Sequence, residues 1–139
     1  PVIQHDSSWI RERLAILPTL TNDLNLLPGK AHVIYFPLDN QYFVPSEGIL
    51  KAHLASHWPD QRKYLVDKYD CENFAFALHA HMADHGVNSV GVVLDWGAGH
   101  AYNIFVTDNG SVHAFEPQDG SWPELGQGLY QFKWGALTI

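Results

Sequence analysis

Apolar residues recur at helical spacing in three stretches and gather into short β-branched runs in the rest of the chain. Trp9, Ile10, Leu14 and Leu17 have the spacing of one helix face, and Asp6-Ser7-Ser8 supplies N-cap oxygens ahead of them. Pro18 stops that helix, and residues 19–32, with Asn22, Asn25, Pro28 and Gly29, read as loop. Val33 to Phe36 and Gln41 to Val44 are short strand candidates separated by the turn residues Pro37 and Asn40. Ser46 can cap a second helix through about His57, with Pro59 beyond it, and a short helix is expected over Gln61 to Lys68. Asp70 caps a third helix, to about His85, with Gly86 suited to the left-handed position past its end. Its apolar residues Phe74, Ala75, Ala77, Leu78 and Met82 predict one buried face.

After this helix the pattern shortens. Val87 to Trp96, His100 to Thr107 and Ser111 to Glu116 read as strands, with Asp108-Asn109-Gly110 as a turn and Leu129 to Trp134 as a last strand. Helices first and an antiparallel meander afterwards give an α+β class.

The 139 residues are one domain by length, and an apolar fraction of 46% with five tryptophans suffices for a single core without disulfides. One cysteine permits no intrachain disulfide, so cysteine usage does not fix a redox compartment. A formal net charge of −7 repels phosphate backbones and anionic lipid, so neither nucleic acid nor a membrane surface is an expected partner. No apolar run approaches a membrane span, and no signal peptide is visible. The chain starts at Pro1 without a methionine, which suggests a processed product or an excised domain.

The lone cysteine, Cys71, falls at the start of the third helix in the run Tyr69-Asp70-Cys71-Glu72-Asn73-Phe74-Ala75. The helix dipole favours a thiolate there. His100 in Gly99-His100-Ala101-Tyr102-Asn103 and Glu116 in Phe115-Glu116-Pro117-Gln118 complete the parts of a thiol hydrolase: nucleophile, base and orienting acid. The hairpin tests whether they can cooperate. A two-residue Asn109-Gly110 turn pairs Asn103 with Glu116 and turns His100 to the opposite face. A three-residue Asp108-Asn109-Gly110 loop pairs Tyr102 with Glu116 and puts His100, Glu116 and Gln118 on one face, with roughly 7–8 Å along the His100–Glu116 diagonal.

Taken together, the three motifs between Tyr69 and Gln118 resemble the papain-like cysteine peptidases. The likeness is closest to their transglutaminase-like branch and to the protease domain of a fungal agglutinin. The resemblance implies a papain-like fold with the nucleophile helix packed on an antiparallel β-sheet. It implies Cys71 as nucleophile, His100 as base, Glu116 as orienting acid and Gln118 as support. It also implies a peptide or amide substrate, cleaved through a thioester acyl-enzyme, and Ca2+ as a cofactor. Asp70, Glu72 and Asn73 offer hard oxygen donors for that ion. Trp96 and Gly99 are placed to line the substrate groove, since glycines at 97 and 99 allow close backbone approach. The backbone N–H of Cys71, with Gln41 or Tyr42, could supply an oxyanion donor.

Other readings compete. A lone cysteine is often a buried apolar filler, His100 an ordinary strand histidine, and Asp70 only a helix cap. A non-catalytic binding module on the same scaffold and an acyltransferase of transglutaminase type are the alternatives. Histidine pairs four apart, His53 with His57 and His81 with His85, each make half a zinc site or a solvated helix face.

Overall fold

The computed structural model describes residues 2–17, 33–58 and 63–139. The expected stop at Pro18, the loop over 19–32 and the start of the helix at Gln61 lie outside them. Strand β1 (Val2–Asp6) leads into helix α1 (Ser7–Leu14), where Asp6 caps by accepting the Trp9 N–H at 3.0 Å. Strands β2 (Val33–Phe36) and β3 (Gln41–Pro45) follow, then α2 (Glu47–His57) and α3 (Cys71–Asp84). Ser46 caps α2 through the Ile49 N–H, and Gly86 (φ +79°) ends α3 in the left-handed conformation. Strands β4 (Val90–Asp95), β5 (His100–Val106), β6 (Val112–Phe115) and β7 (Gly135–Thr138) complete the chain.

The main sheet has the order β2-β7-β4-β5-β6, and β1 pairs separately with β3. Strand β2 runs parallel to β7 while the other neighbours are antiparallel. This corrects two expectations. The sheet is mixed rather than antiparallel, and the N-terminal region interleaves strands with its helices. Strand β4 is buried along almost its whole length because apolar clusters cover both faces of the sheet. One face carries Ile10 and Leu14 of α1 with Tyr42, Val93, Tyr102, Ile104 and Leu137. The other carries Leu50, Leu54 and Trp58 with Leu78 and Met82 of α3 over Val90, Phe105 and Phe115.

Two local expectations also fail. Residues 63–69 form no helix: Leu65 bridges Tyr69 across a tight turn in which Asp67 adopts φ 58°. The strand expected over Leu129–Trp134 is a 3-10 turn (Gly128–Tyr130), and the strand begins at Gly135 instead. Left-handed φ at Gly126, Gly128 and Phe132 breaks the extended run. Gly135 is required where it stands, because a Cβ there would lie 1.9 Å from the Leu94 carbonyl oxygen.

Candidate functional site

The first turn of α3, the loop 96–99 and the start of β5 enclose a cleft of about 270 Å3 lined by Cys71, Glu72, Phe76, Leu94, Asp95, Trp96, Gly99, His100 and Ala101. Cys71 is the first residue of α3 and is half-buried. Asp70 and Asn73 bracket that turn as a capping box, with Asn73 Oδ1 accepting the Asp70 N–H at 3.2 Å. Asp70 Oδ2 accepts the Asp67 N–H at 3.2 Å, and Asp70 Oδ1 is buried without a partner.

His100 and Glu116 meet because of strand register. Asn103 pairs with Phe115 and Val106 with Val112, which sets Tyr102 opposite Glu116. The turn is the three-residue one: Thr107 N–H donates to Ser111 O at 3.0 Å, and Gly110 takes φ +83°. His100 Nε2 lies 3.0 Å from Glu116 Oε2, with both side chains largely buried. The Tyr130 hydroxyl donates to the same oxygen at 3.3 Å. Burial, and next the Glu116 charge, push the Tyr130 hydroxyl up to about 12. Gln118 falls in the turn after β6 and does not line the cleft. Gln41 and Tyr42 are remote from it too; the Tyr42 hydroxyl donates to the Ile139 carbonyl at 2.7 Å.

The sulfur and the imidazole share a cleft without a hydrogen bond between them among the described contacts. The Cys71 Sγ–H points to Glu72 Oε2 at 3.4 Å. Burial raises the thiol above the usual cysteine range, partly offset by the Ala101 backbone N–H, and the Glu72 and Asp70 carboxylates add to the rise.

The far wall of the cleft depends on Asp95, the last residue of β4 and fully buried. Its Oδ1 accepts the Ala98 N–H at 3.1 Å, and its Oδ2 accepts the Lys133 N–H at 3.0 Å. Trp96 N–H donates to Trp134 O at 2.9 Å, and the two indoles meet edge to face at 5.8 Å. Sequence reasoning missed Asp95 and Tyr130. The signal for Asp95 was its position three residues before Ala98 in a glycine-rich turn, the spacing of a side chain that caps a turn. Tyr130 left no sequence signal of its role.

The Ca2+ expectation finds too few free donors. Asn73 Oδ1 and Asp70 Oδ2 already accept backbone N–H groups, which leaves Asp70 Oδ1 and the Glu72 carboxylate against the six to eight oxygens Ca2+ takes.

Residues 8–127 match the family described as the ricin-type beta-trefoil lectin C-terminal domain. The chain belongs to that family. No curated protein matches the sequence. Among solved structures, a complex of PSL1a with E64 superposes with a TM-score of 0.73 at 18% identity, over 98% of this chain and 51% of that one. The Polyporus squamosus lectin bound to the human-type influenza-binding epitope Neu5Aca2-6Galb1-4GlcNAc superposes with a TM-score of 0.64 at 18% identity, over 98% and 49%. The chain therefore spans about half the length of these neighbours and shares the fold of that half.

These findings correct the identification drawn from the three motifs. The family and the neighbours are lectins, so the papain-like assignment, and with it the cysteine peptidase or hydrolase activity, does not stand. Residue types and chain order produced that reading, and both are equally compatible with a cleft that holds a thiol and a histidine side by side. The expected peptide or amide substrate falls with it: the ligand named for the Polyporus squamosus lectin is a saccharide.

Proposed function

We propose that this lectin domain is a binding module whose cleft over the first turn of α3 takes a neutral saccharide. The observation that carries the reading is Trp96. Its side chain stands 52% exposed at a cleft that also presents polar groups from Glu72 and His100. A sugar ring has apolar C–H faces and a rim of hydroxyls, and an aromatic face beside a few convergent polar atoms matches both. Phe76, also exposed, adds apolar wall. Gly99, at φ +65°, turns the chain beside His100, and Glu116 holds the His100 ring in one orientation. Cys71 serves as part of the floor. The Glu72 carboxylate and the net charge of −7 disfavour an acidic sugar, so the neutral Galb1-4GlcNAc portion of the epitope named for the neighbour is the preferred probe.

Isothermal titration with Galb1-4GlcNAc and with the sialylated trisaccharide tests this. The expected outcome is tighter binding of the neutral disaccharide, weakened about fivefold by Trp96→Ala, the loss of a stacking contact worth about 1 kcal/mol. Carboxamidomethylation of Cys71 should block the cleft. Binding unaffected by both changes would remove the cleft from the reading. E64, the compound in the PSL1a complex, is a second ligand to try, and mutual displacement with the disaccharide would place both in one cleft.

A further inference from the structure

At the opposite end of α3, His81 and His85 meet His53 and His57 of α2, so two pairs at four-residue spacing face each other across a helix–helix contact. The geometry points to a Zn2+ site formed by His53, His81 and His85, which we propose as a second binding function of this domain. One ring nitrogen from each of the three lies within 4.8 Å of the other two. His53 Nε2 and His81 Nε2 are 3.0 Å apart. A tetrahedral ion with Zn–N bonds of about 2.0–2.1 Å sets its nitrogens about 3.3 Å apart, within reach of small ring rotations.

Three further observations favour a cation here. His85 Nδ1 lies 2.8 Å from the His81 carbonyl oxygen and His57 Nδ1 lies 3.1 Å from that of His53. A carbonyl can only accept, so each Nδ1 carries the proton and each Nε2 offers its lone pair outward, as ligating histidines are commonly oriented. The rings are also close-set: His53 lies 4.6 Å from His85 and 5.1 Å from His81, centre to centre, and Trp58 packs beside His81 at 5.6 Å. The cluster sits in the last turns of both α2 and α3, where the two helix dipoles present their negative ends and stabilise positive charge.

An all-imidazole donor set suits zinc and its late first-row neighbours and does not suit calcium. The fourth position is open to water, with His57 stacked on His53 at 4.5 Å as the nearest further ring. On binding, the Nε2 proton that one of His53 and His81 now places between them moves to that ring's Nδ1, so no charge need change.

The metal-stripped chain is titrated calorimetrically with ZnCl2, with CaCl2 as the comparison ion. One Zn2+ per chain is expected, and a rise in thermal midpoint with zinc alone. His85→Gln, at an exposed position, and His81→Gln should each weaken zinc binding at least about tenfold and remove the thermal rise. His57→Gln should have a smaller effect. Circular dichroism checks that the variants fold. The rate of Cys71 alkylation should be the same with and without zinc. Zinc affinity unchanged in His85→Gln and His81→Gln, protection of Cys71 by zinc, or no stabilisation at saturating zinc would each overturn the proposal.

Discussion

The two ends of α3 are built from opposite chemistry. At its first turn the Cys71 thiol and the Glu72 carboxylate line an open cleft, with a buried, partnerless Asp70 oxygen at the helix cap. At its last turn imidazoles crowd against those of α2. The positive end of the dipole therefore meets anionic groups and the negative end meets cation ligands, which is the favourable arrangement in both cases. The ends also differ in what holds them. The cleft is shaped by residues distant in sequence, through Asp95, Trp134 and the β5–β6 register. The histidine end needs only two helices and their apolar contact through Leu54, Leu78 and Met82.

Asp95→Ala should separate the two ends most sharply. It strands the Ala98 and Lys133 N–H groups, at about 1–3 kcal/mol for each buried one, so a loss of about 3 kcal/mol is expected in denaturant unfolding. Saccharide binding should be lost, and zinc affinity in the folded fraction should not change. If zinc binding fell in parallel, the two ends would be coupled through the sheet.

Alkylation of Cys71 should be severalfold slower than that of free cysteine near pH 7. A raised thiol leaves less thiolate at neutral pH, so the rate should keep climbing above the pH at which free cysteine levels off. Faster labelling than free cysteine would mean that the dipole outweighs burial. Tyr130→Phe removes one hydrogen bond to Glu116 and should cost about 1 kcal/mol of stability, read by thermal unfolding, while His100 keeps its carboxylate partner. Lys51→Ala breaks an exposed pair with Glu47 and should change stability by less than about 0.5 kcal/mol, touching neither end of α3.

Local chemistry was legible in the sequence where it was self-contained. Ser46 and His57 bound α2, Asp70 and Gly86 bound α3, and the three residues ending in Gly110 set the hairpin register that joins His100 to Glu116. What depended on distant partners was not. Strand β7, Gly-Ala-Leu-Thr, has weak β character of its own and exists because β2 and β4 flank it. The histidine pairs were visible singly, but their meeting required the packing of α2 on α3. The immediate setting of the Cys71 sulfur was hidden for a related reason. Motif order named the groups that share the cleft, and it could not reveal that the sulfur faces Glu72.

Strand β7 inserts between β2 and β4, and Ile139 beside it accepts the Leu38 N–H and the Tyr42 hydroxyl. During synthesis, β2 therefore waits for about a hundred further residues before its neighbour β7 exists. Closing the sheet is therefore a late, long-range step in folding, and removal of residues 135–139 should leave an incomplete sheet with β2 as an exposed, aggregation-prone ribbon.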